Sequence, residues 1–285
     1  MMENAISQNI PQFYVLIVLY NEYVDNTLMR PLFLNKSSVR VFFVDNSTIE
    51  DVRISNMRFS SQNDCKYIDM KGNSGLSVAY NTVISQIIKE VYDQNNKWIV
   101  IFDQDTKIPF HFMDMLLNEL KKNNFKDNVY VPLVFDTIGV LSPCRFSGFR
   151  FKRFKHINLN ESTSFINSGM CIPLPFFKTC KYNENIFLDF VDHDFVKTIR
   201  KLYGNVFTLV NSISLEQNFS GSSLASKDKV LHRYKIYCND ANTFYKKWSC
   251  FYLGSMCFVF LRALKLAIIY KDAVFISAFF KKKKR

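Results

Sequence analysis

Two aspartates, Asp103 and Asp105, are separated by a single residue in the stretch WIVIFDQDTKIPF. They follow directly on a nearly unbroken apolar run, which predicts that they lie at the end of a buried strand. Burying an unpaired carboxylate costs free energy, and two neighbouring carboxylates repel each other. We therefore expect a positively charged partner to meet this pair.

Three further aspartates, Asp189, Asp192 and Asp194, stand among aromatic residues in the segment NIFLDFVDHDFVKTIRKLYG. Carboxylates in such surroundings are either structural caps or functional groups with an altered proton affinity. The apolar spacing that follows them predicts a helix leaving this segment. We expect His193, between the last two acids, to be a surface residue at the start of that helix.

The elements that would position these acids form a regular series. Apolar runs of strand length cover residues 13–20, 39–45 and 98–103, with segments of helical spacing between them. Continuous hydrophobicity predicts strands covered on both faces, as in a parallel sheet between helices. Because ligands of open α/β sheets bind at the carboxyl ends of the strands, the polar residues after all three runs should meet in one crevice.

The segment KGNSGLSVAYNTVISQIIKEVYD predicts a helix that begins after Asn73, Ser74 and Gly75. The free N–H groups and the positive dipole at the start of a helix attract anions. A plain capped helix accounts for the same pattern, and the sequence leaves both interpretations open.

The composition limits the class of protein. With 285 residues, of which 48% are hydrophobic, the chain is folded and not disordered. The formal net charge of +12 is concentrated toward the C-terminus, which ends in KKKKR, and no nucleic-acid-binding motif accompanies it. This distribution favours an anionic membrane surface as partner and argues against nucleic acid.

The cysteines and the N-terminus indicate the compartment. Seven scattered cysteines without a C-x-x-C pair predict a reducing environment. No basic region precedes the first apolar run, which has only the length of a strand, so we expect no signal peptide. The expected location is the cytoplasm.

The C-terminal region differs from the rest of the chain. Residues 248–261 carry no charge, a run shorter than the ~20 residues that span a bilayer as a helix, and basic residues then return. This predicts helices that lie on a membrane; a buried helix pair with a solvated end is the alternative. We therefore divide the chain into an α/β domain at residues 1–215 and a basic, helical, membrane-associating region at residues 216–285.

Six motifs, in this order, resemble the family 2 glycosyltransferases of the GT-A fold, and among them the bacterial rhamnosyltransferase-like enzymes. The motifs are LIVLYNE, VDNST, GNSGLSVAYN, FDQDT, INSGMCIP and FLDFVDHDF, and the similarity covers about residues 12–210. The resemblance implies an α/β protein with a Rossmann-like open mixed sheet flanked by helices, followed by a helical extension that associates with the membrane.

The resemblance also implies roles at the strand ends. Asp105 would hold a divalent metal, Mg²⁺ or Mn²⁺, and Asp103 would contact the metal or the ribose of a nucleotide-sugar donor. Asp45 would bind the pyrimidine base, with Tyr20 and Asn21 lining the same pocket. An acidic acceptor suits the imide N–H that uracil and thymine share, so Asp45 does not distinguish UDP from dTDP.

Asn73 and Gly75 match a helix-entry motif beside the nucleotide, as does Asn81 unless it packs the helix against the sheet. Asp192 matches the catalytic base of the family. Asp194 is the alternative base, because an extended segment would direct both side chains to the same side.

Three other positions bear on this comparison. Val191 stands where the common pattern has Glu, which is typical of the rhamnosyltransferase-like group, and Thr198 stands where an Arg often follows. Arg233 lies in a basic and aromatic segment after the catalytic domain, where it would bind the donor phosphate or the diphosphate of a lipid-linked acceptor, or serve the structure.

The implied function is that of an inverting, metal-dependent glycosyltransferase. It would transfer rhamnose from dTDP-rhamnose to a hydroxyl of a polyprenyl-diphosphate-linked glycan, in O-antigen or capsule synthesis at the inner face of the bacterial plasma membrane. The alternatives are a family 2 enzyme using UDP-galactofuranose, a UDP-hexose or a UDP-N-acetylhexosamine, and an inactive nucleotide-binding scaffold.

Overall fold

The computed structural model describes residues 11–24, 38–147, 150–217 and 226–281. Within these residues, a mixed sheet of nine strands has the order β3-β2-β1-β4-β11-β6-β12-β5, with β7 paired to β6. The strands are β1 (Gln12–Leu19), β2 (Val39–Asp45), β3 (Lys66–Asp69), β4 (Lys97–Asp103), β5 (Thr106–Lys107), β6 (Val129–Asp136), β7 (Gly139–Ser142), β11 (Cys171–Pro173) and β12 (Phe207–Gln217).

The helices flank this sheet. They are α1 (Glu50–Gln62), α2 (Leu76–Glu90), α3 (Phe112–Lys122), α4 (Val191–Tyr203), α5 (Lys227–Trp248), α6 (Tyr252–Tyr270) and α7 (Val274–Phe280). The three predicted apolar runs form β1, β2 and β4, and the predicted helix of the GNSGLSVAYN segment forms α2. This open mixed sheet with helices on both faces is the GT-A fold that the sequence predicted.

The strand directions bring distant residues to one edge of the sheet. β3, β2, β1 and β4 are mutually parallel, whereas β11 runs antiparallel between β4 and β6. β6 therefore has the direction of β4, and β12 pairs parallel with β6. As a result, the carboxyl end of β12 lies at the same edge as the carboxyl ends of β1, β2 and β4.

Alternate residues of the strands enter two hydrophobic clusters, because successive side chains of a strand point to opposite faces. On one face, Tyr14, Leu16 and Val18 pack with α2, α4 and the C-terminal helices. On the other face, neighbouring residues such as Val15 and Ile17 pack with α3. Burial on both faces explains why these runs are apolar without interruption.

The residues between β7 and β11 in the sequence form a second, smaller sheet. It has the order β10-β8-β9 and consists of β8 (Cys144–Ser147), β9 (Arg150–Arg153) and β10 (Thr163–Ser164). No motif of the sequence predicted this small sheet.

The C-terminal helices share the core of the sheet. Buried residues of α5, α6 and α7 belong to the same hydrophobic cluster as α2 and α4; examples are Phe244, Val259 and Phe275. The boundary predicted after residue 215 falls two residues before the end of β12. Residues 282–285, most of the terminal basic run, lie outside the described residues.

Helix α6 is longer than the uncharged run of the sequence. It continues past Arg262 and Lys265 to Tyr270, and by its 19 residues and mean hydropathy of 1.7 it is long and apolar enough to cross a membrane. Only 17% of its most apolar window is buried against the rest of the chain. The uncharged run is thus part of a longer helix, because Arg262 and Lys265 do not interrupt it; whether the helix lies on a membrane stays a prediction.

Candidate active site

Asp103 ends β4, and Asp105 lies in the turn that follows. The side-chain amide of Gln217, at the end of β12, faces both of them. Its Nε2 donates to Asp103 Oδ2 at 2.9 Å and to Asp105 Oδ1 at 3.3 Å. In the described part of the chain, neither aspartate forms an ion pair with Lys, Arg or His. The partner of the two carboxylates is thus a neutral amide, not the expected positive charge.

The electrostatics of the pair favour a cation. Burial, together with the carboxylates of Asp105 and Asp192, raises the pKa of Asp103 to about 7, although hydrogen bonds from Ser168 and Gln217 oppose this shift. Burial also raises the pKa of Asp105. A bound cation would offset the repulsion that makes the two charged carboxylates unfavourable.

The donor atoms at this position fit a hard divalent cation. No group of three or more His, Cys, Asp or Glu side chains that could hold a metal occurs among the described residues. Asp103 and Asp105 nevertheless offer carboxylate oxygens, and Gln217 Oε1 is buried there without a hydrogen-bond partner among the described residues. Mg²⁺ prefers such oxygen ligands, needs few of them from the protein and retains several waters.

Asp192 lies in the first turn of α4, where its Oδ1 accepts the N–H of His193 at 2.7 Å. About a fifth of its side chain, 21%, is exposed. Burial raises its pKa to about 7, and Asp189 adds to this shift. Because the Asp192 carboxylate also raises the pKa of Asp103, the two groups lie within electrostatic reach of each other across the site.

Asp194 is directed elsewhere. It is 1% exposed and accepts bonds from Lys247 Nζ at 3.1 Å and from Trp248 Nε1 at 2.7 Å, which join α4 to the end of α5. The expected extended segment is a helix, in which residues two apart point about 200° apart around the axis. Asp192 and Asp194 therefore do not face the same side.

His193 is not the surface residue that we expected. Its ring stacks on Phe151 at a centroid distance of 3.6 Å, and Nδ1 is 2.8 Å from Ser164 Oγ. Burial lowers the pKa of His193 to about 3, so the imidazole is neutral. It packs the start of α4 against the small sheet.

Of the residues after β1, Tyr20 lies in the cleft and Asn21 does not. Tyr20 is 45% exposed, and its backbone N–H donates to Gln104 Oε1 at 2.7 Å. The Asn21 side chain instead accepts the N–H groups of Thr48 and Ile49 at 2.8 and 3.2 Å. Asn21 thereby ties the end of β1 to the start of α1.

Asp45 is fully buried behind the cleft wall. Its oxygens accept bonds from the N–H of Ser47 at 2.8 Å, Asn56 Nδ2 at 2.9 Å and the Tyr67 hydroxyl at 3.0 Å. The neighbouring Asn46 lines the cleft instead. Direct contact between Asp45 and a base stays a prediction, and these three bonds show that the carboxylate also organises the end of β2.

The entry of α2 is capped by the protein itself. The N–H groups of Ser74, Gly75 and Leu76 donate to Asn46 Oδ1, Asn73 Oδ1 and the Phe187 carbonyl at 3.3, 3.1 and 2.7 Å, respectively. Of these three groups only the Leu76 N–H belongs to the helix itself, so anion binding at the start of α2 stays a prediction. Gly75 has φ +86°, and a Cβ there would lie 2.6 Å from Phe187 Cδ2, so this close approach requires glycine.

Asn81 packs α2 against the segment before α4. Its amide exchanges hydrogen bonds with the backbone of Tyr182, donating to the carbonyl at 2.9 Å and accepting the N–H at 3.0 Å. Asn81 thus packs the helix against this segment and not against the sheet, and its role beside the nucleotide stays a prediction.

Arg233 forms a two-pronged ion pair with Asp189, in which Nη2 lies 2.8 Å from Oδ1 and Nη1 contacts Oδ2. The same loop is held by Asp240, about two turns further along α5. Its carboxylate accepts three consecutive N–H groups, those of Phe187, Leu188 and Asp189, at 2.8 to 2.9 Å. Helix α5 therefore fixes the loop that precedes Asp192.

These elements line an open cleft of about 300 Å³ at the carboxyl edge of the sheet. Five predicted residues line it: Tyr20, Asn73, Gly75, Asp103 and Asp105. Asn21, Asp45, Asp192, Asp194 and Arg233 do not line it. The lining residues that the sequence analysis did not select are Val18, Asn46, Leu76, Gln104, Phe187, Leu188 and Gln217.

The fold and the site together define an α/β protein that has paired carboxylates in a cleft at the carboxyl edge of an open mixed sheet. The family model of glycosyl transferase family 2 matches residues 14–176, more than half of the chain. The chain therefore belongs to glycosyl transferase family 2. A search of curated proteins finds no match.

Solved structures of S. aureus TarS have a similar fold. TarS 1-349 matches with a TM-score of 0.54 and 16% identity, over 94% of this chain and 81% of that one. TarS 1-349 in complex with UDP matches with a TM-score of 0.51 and 14% identity, over 80% and 65%. A further TarS structure has a TM-score of 0.51 and 12% identity, over 84% of this chain and only 44% of that one.

Proposed function

We propose that this protein is an inverting glycosyltransferase that moves a sugar from a nucleotide diphosphate to an acceptor hydroxyl. The observation that carries the proposal is the pair Asp103 and Asp105 in the cleft, within electrostatic reach of Asp192. The structure of TarS with UDP, which has a similar fold, supports a nucleotide as ligand.

The aspartate pair would act on the leaving group. Asp105, with Asp103, would hold Mg²⁺ or Mn²⁺, and such a cation would stabilise the negative charge of the departing diphosphate. Asp103 also lies near enough to the cleft wall to accept a hydrogen bond from a ribose hydroxyl. Tyr20 offers an exposed ring beside them on which a base could stack.

Asp192 would act as general base. With a pKa near 7, about half of the Asp192 carboxyl groups are charged at neutral pH, and the charged form is basic enough to take the proton of the acceptor hydroxyl as the oxygen attacks the anomeric carbon. Attack from the face opposite the diphosphate inverts that carbon. Asp194 is the weaker candidate, because its carboxylate is already bound to Lys247 and Trp248.

The donor and acceptor follow from the resemblance of the motifs. We favour dTDP-rhamnose as donor and a polyprenyl-diphosphate-linked glycan of O-antigen or capsule synthesis as acceptor. A UDP-sugar is the alternative donor. Arg233, nearly half exposed above the loop before α4, is positioned to reach the diphosphate of an acceptor if its ion pair with Asp189 opens.

The C-terminal helices support a membrane location. Exposed apolar residues of α6 lie eight and seven residues apart on one side of the helix, at Leu253, Leu261 and Ile268. Basic residues flank them at Arg262, Lys265 and Lys271, and α6 itself contains no acid. This pattern suits a helix lying in the surface of an anionic membrane, here the inner face of the plasma membrane.

Thermal unfolding with dTDP, UDP and GDP, each with and without Mn²⁺, tests the proposal. A ligand at ~100 times its dissociation constant stabilises the folded state by roughly 2.7 kcal/mol. We expect Mn²⁺-dependent stabilisation by dTDP above UDP, and none by GDP. Preference for UDP would replace the donor and keep the mechanism, whereas no response to any nucleotide would contradict the enzyme and favour an inactive scaffold.

A further inference from the structure

The side chain of Gln217 occupies an unusual position for a neutral residue. It ends β12, pairs in register with Thr106 and is 7% exposed. Its Nε2 lies between two carboxylates that stand 112 and 114 residues away in the sequence. Its amide is thus fixed in place by the sheet and directed at the proposed cation site.

The nitrogen and the oxygen of this amide differ in their hydrogen-bond partners. The Nε2 group donates to both Asp103 and Asp105, which can only accept. Oε1 is buried and has no hydrogen-bond partner among the described residues. A buried oxygen without a donor is unfavourable, and such groups in native proteins call for an explanation.

A bound cation would account for both the position of Nε2 and the missing partner of Oε1. A divalent ion held by the two carboxylates would repel the N–H groups that now point at them. Rotation of the amide about its last side-chain bond would turn Nε2 away and present Oε1 to the ion. The oxygen that lacks a donor would gain a cation, and amide oxygens are suitable ligands for hard divalent ions.

We propose that Gln217 is a third cation ligand, and that its amide group takes the place of the cation between Asp103 and Asp105 while the site is empty. This inference rests on the cation of the proposed function. It assigns to one residue two opposed tasks: its nitrogen reduces repulsion in the empty site, and its oxygen completes the filled one.

Two substitutions separate these tasks. Gln217→Glu keeps the size of the side chain but adds a third carboxylate, which should tighten cation binding and destabilise the empty site. Gln217→Leu keeps the bulk and removes both the donor and the oxygen, which should weaken cation binding. Ser214→Glu is the matched control, because it adds the same charge to β12 at an exposed position.

The measurement is Mn²⁺ binding to the full-length protein, followed by the loss of the free-ion electron paramagnetic resonance signal in the presence of UDP or dTDP. We expect Gln217→Leu to weaken binding about tenfold or more, the size of effect seen when groups that support a metal site are removed. Gln217→Glu should tighten binding severalfold, with Ser214→Glu unchanged. Without Mn²⁺, Gln217→Glu should unfold at a lower temperature than Ser214→Glu.

The possible failures are distinguishable. Wild-type protein that binds no Mn²⁺ would remove the cation from the proposed function and this inference with it. Wild-type binding that Gln217→Glu does not tighten, or that Gln217→Leu does not weaken, would overturn the inference alone. If Gln217→Leu does not fold, the comparison of Gln217→Glu with Ser214→Glu decides.

Discussion

The buried carboxylates of this protein have different roles, and their hydrogen-bond partners indicate the role of each one. Asp45, Asp194 and Asp240 each accept several hydrogen bonds from the protein and serve the structure. Asp192 accepts only backbone N–H groups, and burial raises its pKa to about 7. A carboxylate left with so few donors is costly to the fold, which is typical of a functional group.

The pKa of Asp192 predicts how transfer depends on pH. A general base acts in its charged form, so kcat/KM should rise with pH through about 7 and level off above it. Asp192→Asn should abolish this rise along with most of the activity. Initial rates measured from pH 5.5 to 9 at a fixed Mn²⁺ concentration would check this, because the range covers both sides of the Asp192 pKa of about 7.

Removing the Asp192 carboxylate should also stabilise the protein. Between about pH 4 and pH 7 the folded state retains a proton that the unfolded state releases, so the free energy of unfolding falls as pH rises through this window. Asp192→Asn should therefore stabilise the protein at pH 8, by about 4 kcal/mol, and leave it unchanged near pH 4.

Asp194→Asn is the matched control for that measurement. It removes a charge two residues away, but this charge is bound by Lys247 and Trp248, so stability at pH 8 should fall by about 1 to 3 kcal/mol. Urea unfolding of both variants gives the comparison. Loss of transfer in Asp194→Asn at full stability would move the role of the base to Asp194.

Among the elements, α5 couples the C-terminal helices to the cleft. Asp240 holds three N–H groups of the loop at residues 187–189. In turn, the Phe187 carbonyl caps α2, and Leu188 lines the cleft. Because the loop continues into α4 at Val191, its position also determines where Asp192 stands.

We therefore expect Asp240→Asn to weaken nucleotide binding although the residue lies outside the cleft. The amide retains one acceptor oxygen and turns an N–H₂ group toward backbone donors, so stability should fall by about 2 kcal/mol. Asp228→Asn, an exposed change on the same helix, is the control. Calorimetric nucleotide affinities equal to wild type in Asp240→Asn would show that α5 supports the fold only.

The sequence predicted those elements whose signal is local. β1, β2, β4 and α2 carry their burial in their own periodicity, and Asp103 and Asp105 follow directly on one of these strands. Gln217 and Asp240 could not be found in this way. Their partners lie 114 and 53 residues away, and only the sheet order and the docking of α5 bring them together.

On the scale of the whole molecule, the C-terminal helices present two surfaces. Their inner side completes the hydrophobic cluster of the α/β core. Their outer side shows the α6 residues Leu253, Leu261 and Ile268, each more than half exposed. The membrane location proposed above would use this outer side, while the inner side holds the helices on the core.

Binding to lipid vesicles separates the apolar and the charged parts of this surface. Replacing Leu261 and Ile268 by serine should weaken binding to anionic vesicles at every salt concentration, since burial of each apolar side chain contributes about 1.5 to 3 kcal/mol. Deleting the residues after Phe280 should weaken binding only at low salt, because screening at 1 M shortens the Debye length to about 3 Å. Ile138→Ser, an equally exposed change remote from α6 in the sequence, is the control.

If the double variant binds like the control, α6 does not lie in the membrane. If the truncated protein keeps full binding at low salt, the terminal basic run does not contribute.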